Sequence, residues 1–168
     1  VLGIDTEFIR ERSYYPNLCL IQVANRKEAY IIDPFCIDDL TPLKRIFEHK
    51  YIVKIFHAGS QDLEIIKHDI DAIPDPIFDV QIAASVLGMS YQAGLSSVLS
   101  HFLSVNIKKG DSFTDWEQRP LTHSQIEYAA EDVIYLPALY DEMIGLLVEK
   151  GRLSWLDSEF ESLIEASC

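Results

Sequence analysis

Cysteine, basic residues and long apolar runs are all scarce in this chain, and each scarcity excludes something. The three cysteines, Cys19, Cys36 and Cys168, lie far apart in 168 residues. They form neither a disulfide framework nor a zinc-ligand spacing, which points to a reducing compartment and a cytoplasmic location. No run reaches the ~18 consecutive apolar residues of a membrane-spanning helix, and no signal-peptide pattern is visible in these residues. Lys and Arg number 14 against 27 Asp and Glu, for a net charge of −13. That is the wrong overall sign for a protein that holds nucleic acid by basic residues alone. Two readings of the charge stand side by side. One is the solubility of an acidic enzyme. The other is a cluster of carboxylates around divalent cations, which reverses the local sign. Internal repeats and low-complexity tracts are absent too.

What is present is a core. With 48% hydrophobic residues the chain suits one compact α/β-sized domain. Val1, not Met, already stands at the head of a strand pattern, so the expectation is either a domain excised from a longer chain or a short stand-alone form. The stretches 1–8, 18–24 and 28–34 read as β-strands joined by the short polar turns SYYPN and NRKE, an antiparallel meander. A helix is expected from Thr41 as N-cap with Pro42 in its first turn. A buried strand over 51–58, a helix around SQDLEIIKHDI, a short strand in IPDPIFDV and two further helices follow. From Asn106 to Pro120 the periodicity fails, which predicts a long loop of the kind that often carries function. Thr122 and Gln125 then spell a capping box, with Leu121 and Ile126 as a hydrophobic staple. The helix runs past Asp132 with a kink at Pro137, and a last helix covers SWLDSEFESLIEA. The order β-β-β-α-β-α-β followed by helices predicts a mixed sheet with helices packed on it.

Three places carry acids that packing does not ask for. Asp5 and Glu7 end the first strand, two apart and on one face, at about 7 Å. At an effective dielectric near 20, two unit charges at that distance repel by about 2 kcal/mol. Solvent, a shared proton or a cation between them can relieve that. Asp62 follows the fourth strand in the first turn of a helix, where a carboxylate is also an ordinary dipole partner. Tyr128 and Asp132 are i and i+4 on one helix face, beside the small residues Ala129 and Ala130. Taken singly, each has an ordinary reading: a solvated face for Asp5 and Glu7, a helix-dipole partner for Asp62, and a common side-chain pair for Tyr128 and Asp132.

In this order they resemble the ribonuclease D branch of the DEDD superfamily of 3'-5' exonucleases. The resemblance rests on Asp-x-Glu in GIDTEF, on Asp62 in FHAGSQDLEII and on Tyr-x-x-x-Asp in YAAEDV. Between them RSYYPNLCLIQVA, FDVQIAASVLG and FTDWEQRPLTHSQIEYAAEDVIYL are similar as well. Residue Glu127 stands where the sister branch carries a histidine, so the chain resembles the tyrosine type. Glu7 argues against a dehalogenase-type phosphatase, which starts on Asp-x-Asp. The resemblance implies an α/β fold: a ribonuclease-H-like mixed sheet of about five strands, the first three an antiparallel meander. It implies one catalytic domain over 1–168, without the helical nucleic-acid-binding domains that usually follow the nuclease.

It further implies two Mg²⁺ or Mn²⁺ ions, which suit oxygen ligands. Asp5 would bridge both, Glu7 and Asp132 would complete the first site, Asp62 would support the second, and Tyr128 would orient the attacking water. The expected activity is 3'-5' exoribonuclease action on structured RNA such as tRNA precursors, releasing nucleoside 5'-monophosphates. A DNA exonuclease with the same site, and a catalytically inactive binding domain, remain as alternatives. The expected partner is a single-stranded 3' end, with neither a membrane nor an obligate protein partner. Basic residues interleaved with aromatics suit such a strand. They occur as Arg10, Arg12, Tyr14 and Tyr15, and again as Lys108, Lys109, Phe113, Trp116 and Arg119. His57 at the end of the fourth strand is expected to line the pocket.

Overall fold

The structure, a computed structural model, describes residues 1–10, 15–108 and 114–167. β1 (Leu2–Ile9), β2 (Asn17–Ala24) and β3 (Ala29–Ile32) form the antiparallel meander. β4 (Lys54–Phe56) and β5 (Ile77–Asp79) add in parallel on the other side of β1. The sheet order is β3-β2-β1-β4-β5, so the strand that carries Asp5 and Glu7 is central.

Alternation along the strands divides the two faces. Ile4, Ile21, Val23 and Phe56 are buried on one face against α1 (Thr41–Phe47) and α2 (Ser60–Ile70). On the other face Ala24, Ile55 and Phe78 pack with α3 (Val80–Val86), α4 (Leu95–Leu103) and α6 (Leu136–Glu149). α5 (His123–Ile134) crosses this second face over β1, β2 and β3, burying Ala129 against Cys19, Leu20 and Trp116. α7 (Leu156–Ser167) packs on α2 and β5. Among the described residues no helix is long and apolar enough to cross a membrane.

Several local expectations change. The fourth strand covers three residues rather than eight. Its Lys54 is fully buried, and its Nζ donates to the carbonyls of His49 (3.1 Å) and Asp75 (2.6 Å). The N-cap of α1 is Leu40, not Thr41, and the Asp39 carboxylate accepts from the Thr41 N–H at 2.8 Å. The kinked helix is two helices, α5 and α6, that meet at Tyr135 with Pro137 in the first turn of α6. There the ring needs no N–H partner. Of the long loop, residues 106–108 and 114–120 hold neither helix nor strand.

Candidate active site

Asp5 and Glu7 lie on the β1 face that α5 covers. How closely α5 approaches is set by Gly3. A Cβ there would come within 3.0 Å of the Leu136 Cβ and of the Val133 carbonyl oxygen, forcing the α5–α6 junction off the strand. Ala129, fully buried, serves the same approach further back along α5. The capping box starts the helix as expected. Gln125 N donates to Thr122 Oγ1 (3.1 Å) and Thr122 N to Gln125 Oε1 (2.8 Å). Four residues apart on α5, Tyr128 and Asp132 both reach the sheet.

The result is a cluster of three acids. One oxygen from each of Asp5, Glu7 and Asp132 lies within 4.8 Å of the others, all three side chains half-buried. Oxygens on one Mg²⁺, with metal–oxygen bonds of 2.0–2.1 Å, stand at most about 4 Å apart. Small side-chain rotations therefore bring these three into one coordination shell. The donor set, oxygen alone, suits a hard divalent ion.

Asp62 stands beside this group rather than in it. It is buried in the first turn of α2, and its Oδ1 accepts both the backbone N–H of Thr6 (3.0 Å) and the Thr6 hydroxyl (2.5 Å). β1 pairs with β4 at Leu2 and Gly3, and beyond them the β4-side edge of β1 has no strand partner among the described residues. The Asp62 carboxylate occupies that edge. A second buried acid, Asp79, sets the turn before α2. It accepts from Ala58 N (3.3 Å), Gly59 N (2.8 Å), Gln81 N (2.8 Å) and Ile82 N (3.2 Å). One carboxylate thus caps α3 and holds the Ala58–Gly59 turn, where Ala58 has φ 54°.

The electrostatics are those of a site short of positive charge. Among the described residues none of Asp5, Glu7, Asp62 and Asp132 has an ion-pair partner. Burial pushes the Asp5 carboxyl well above the usual range, and Asp62, Asp132 and Glu7 push it further. Glu7 rises to about 8 through burial, then through Asp132 and Asp62. Asp132 and Asp62 rise as well, burial again being the largest cause. The Tyr128 phenol is held far up by burial and then by Asp132. It therefore remains a hydroxyl, able to donate, at any physiological pH.

The expected substrate residues divide. His57 is half-buried with its Nε2 on the Ala93 carbonyl (2.9 Å), which also accepts from Gln81 Nε2 (3.1 Å). A carbonyl oxygen can only accept, so Nε2 is the donor in this contact. Arg10 is exposed and lies 3.7 Å from Glu64. Tyr15 is exposed and its ring stacks on His68 at 4.2 Å. Trp116 corrects the expectation. It is only 3% exposed, packed with Cys19, Leu20 and Ala129, and its ring lies 6.0 Å from that of Tyr128. Such a ring supports the tyrosine and offers no face to a base. Arg119 is likewise committed. It donates to both oxygens of Asp33 (2.7 and 2.9 Å), to the Cys19 carbonyl (2.9 Å) and to the Trp116 carbonyl (2.6 Å). Lys108 is exposed. Lys109, Phe113, Arg12 and Tyr14 lie outside the described residues.

Sequence reasoning passed over Gln22, which sits opposite Asp5 in the β1–β2 register and is fully buried. Its Nε2 donates to Asp5 Oδ2 (3.2 Å) and Glu7 Oε1 (3.3 Å). The available signal was one amide in the otherwise apolar run LCLIQVA. Thr6 and Asp79 were missed for want of any such contrast.

Comparison with known proteins bears on the family and the fold. A family model described as 3'-5' exonuclease matches residues 1–147. Ribonuclease D of Zymomonas mobilis is 49% identical over 99% of this chain and 43% of its own length. The solved structure of Escherichia coli RNase D, an exoribonuclease involved in structured RNA processing, superposes with TM-score 0.89 at 38% identity. That match covers 99% of this chain and 44% of the other. Brucella melitensis NrnC gives TM-score 0.90 at 30% identity over 99% and 82% of the two chains, and has also been solved with bound Mg²⁺ and bound to pGG. The chain spans about two fifths of the length of the curated relatives it matches. By sequence and by fold, this chain belongs to the 3'-5' exonuclease family, on its ribonuclease D branch.

Proposed function

We propose that this chain is the catalytic domain of a longer metal-dependent 3'-5' exoribonuclease. It removes nucleoside 5'-monophosphates one at a time from the 3' end of structured RNA, such as tRNA precursors, in the cytoplasm. The observation that carries the reading is the three-acid cluster of Asp5, Glu7 and Asp132, half-buried, without a cationic partner among the described residues, and bordered by Tyr128 and Asp62. The likeness to E. coli RNase D supports RNA as the substrate. The NrnC structure with Mg²⁺ supports the metal.

Asp5, Glu7 and Asp132 would hold a first Mg²⁺ or Mn²⁺, and Asp5 with Asp62 a second. Two such ions supply a nucleophilic water and neutralise charge on the scissile phosphate and the leaving oxygen. The protein's own part is positional. Thr6 fixes one oxygen of Asp62, so the carboxylate meets its ligand with the other. Tyr128, protonated and braced by Trp116, donates its hydroxyl toward the attacking water and orients it. The rising carboxyl pKa values mean that the acids give up protons as the ions bind. His57 Nδ1, Arg10 and Tyr15 are candidates for contact with the terminal nucleotide and the strand behind it, and Lys109 for the phosphates.

The test uses matched RNA and DNA oligomers labelled at the 5' end, in Mg²⁺, in Mn²⁺ and in excess chelator. Stepwise shortening of the RNA from its 3' end, blocked by a 3'-phosphate and abolished by chelator, is expected. Cleavage of a circular substrate, or full activity in chelator, overturns the reading. Preference for the DNA strand moves the substrate but keeps the mechanism.

A further inference from the structure

Gln22 is the one polar side chain on its strand's buried stretch, and its place is unusual. It is 0% exposed. An apolar residue there would pack between β1 and α5 without any polar group to satisfy. Instead the strand carries an amide whose single nitrogen donates to two acids of the cluster, Asp5 Oδ2 at 3.2 Å and Glu7 Oε1 at 3.3 Å. Its carbonyl oxygen, Oε1, is buried and has no hydrogen-bond partner among the described residues. Turning the amide over gives no relief. It would aim the carbonyl at two carboxylates and leave the two N–H groups unpaired. The amide's orientation is thus dictated by the acids, and an unsatisfied oxygen is tolerated to keep it. A local rule broken without gain to the core marks a residue that serves a site.

From this geometry we infer that Gln22 is a positioning residue that pre-sets Asp5 and Glu7 for the metal by holding one oxygen of each from beneath. The inference rests on the metal-dependent reading above. Asp5 and Glu7 stand two apart on β1, and as carboxylates they repel each other; in the structure they nonetheless lie together with Asp132, and Gln22 is bonded to both. Two N–H groups on one nitrogen are the smallest bridge that draws both inward, and they come from the residue directly opposite Asp5 in the register. The bridge takes Oδ2 of Asp5 and Oε1 of Glu7. The bridge does not use Oδ1 of Asp5 or Oε2 of Glu7, the oxygens that would meet the ion. Outer groups that orient ligands in this way typically change metal affinity by about 10–100-fold. Gln22 touches neither substrate nor water in this scheme, so its effect is on the metal and not on the bond-breaking step.

Two variants of the intact protein test it. Gln22→Met keeps length and volume and removes both donors. Gln22→Asn keeps the amide but draws it back from the acids. For each, Mn²⁺ binding is measured directly by calorimetry or by the signal of free Mn²⁺ in electron spin resonance, beside thermal unfolding in chelator and turnover across a Mg²⁺ titration. The expected result is a rise of about 10–100-fold in the Mn²⁺ dissociation constant and in half-saturating Mg²⁺, with turnover at saturating metal close to the parent's. A role in core packing alone would shift the unfolding temperature and leave both metal constants in place. That outcome overturns the inference, as does a folded variant that binds Mn²⁺ like the parent. Should neither variant fold, Gln22 is a stability residue and the inference is rejected. If the parent itself binds no Mn²⁺, the metal-dependent reading fails first, and the two failures are thereby told apart.

Discussion

Thr6 gives both of its donors, the backbone N–H and the side-chain hydroxyl, to the same oxygen of Asp62. The two residues are 56 apart in sequence, and the contact ties the first turn of α2 to the unpaired edge of β1. It also decides which oxygen of Asp62 is left for an ion. Thr6→Val keeps the branched shape and removes the hydroxyl. A hydrogen bond to a charged group contributes about 1.5–3 kcal/mol, so a loss of unfolding free energy of that order, seen as a lower denaturation midpoint, is expected at neutral pH. Activity should fall, but less than in Asp62→Asn, because the backbone N–H still holds Oδ1. A Thr6→Val protein with the parent's midpoint would mean that the hydroxyl contact is idle.

Asp5→Asn and Asp132→Asn each remove a charge and keep the size. With an unpaired carboxylate cluster on the sheet, either change relieves repulsion that burial makes strong. In chelator both variants should therefore unfold at a higher temperature than the parent, or at least not a lower one. In saturating Mg²⁺ turnover should drop by orders of magnitude while the circular dichroism spectrum is kept. Asp5→Asn with near-normal turnover would refute the ligand assignment.

The metal-free protein should show an inverted pH dependence. Carboxyls in an unfolded chain titrate near pH 4, whereas burial and mutual repulsion raise Asp5, Asp62 and Asp132, and carry Glu7 to about 8. Between about pH 4 and pH 8 the folded state holds more protons than the unfolded one, so stability falls as pH rises through that window. Added Mg²⁺ should flatten or reverse the slope, because the ion replaces the protons. Unfolding midpoints at pH 5 and pH 8, in chelator and in Mg²⁺, give the comparison. Stability that rises with pH in chelator would contradict the clustered-acid picture.

Much of this was legible in sequence because it is local. Asp5 and Glu7 share a face by the two-residue period of a strand, and Tyr128 and Asp132 by the four-residue spacing of a helix. Thr122 and Gln125 announce their cap within four residues. The roles of Gln22, Thr6 and Asp79 depend instead on register across strands and on where β4 stops. No periodicity encodes either. Trp116 misled for a related reason. An aromatic next to charged residues in an aperiodic stretch reads as a stacking platform, and only tertiary packing under α5 shows it to be interior. The three-residue extent of β4 follows no local spacing either, whereas the break at Tyr135 lies two residues before the proline that signalled it.

The corrected place of Trp116 carries its own consequence. Its loop is held from two sides, by Arg119 on Asp33 and the Cys19 carbonyl, and by Gln125 Nε2 on Thr114 Oγ1 (2.8 Å) and the Asp115 carbonyl (3.1 Å). Trp116→Ala should act as a core truncation, losing about 3–5 kcal/mol of stability. Its activity loss should lie in kcat, through Tyr128, and not in KM for the RNA. A stable variant with a raised KM and an unchanged kcat would restore the base-stacking role.

Tyr128→Phe isolates the proposed mechanism most cleanly. The substitution removes one oxygen and leaves the ring against Trp116, so α5 should stay in place and the unfolding temperature should hold. The phenol is kept protonated by burial and by Asp132, which makes it a donor that orients water rather than a base. Positioning and proton-handling groups contribute about 10²–10⁴-fold to rate, and a loss of that size is expected in single turnover. It should appear in kcat, since the hydroxyl matters only once water attacks. Mn²⁺ affinity should barely change, in contrast to Asp132→Asn four residues along the same face. Equal cleavage by the phenylalanine variant would make the tyrosine structural. Loss of Mn²⁺ from it would place the hydroxyl in the ion's own shell and require a different group to hold the water.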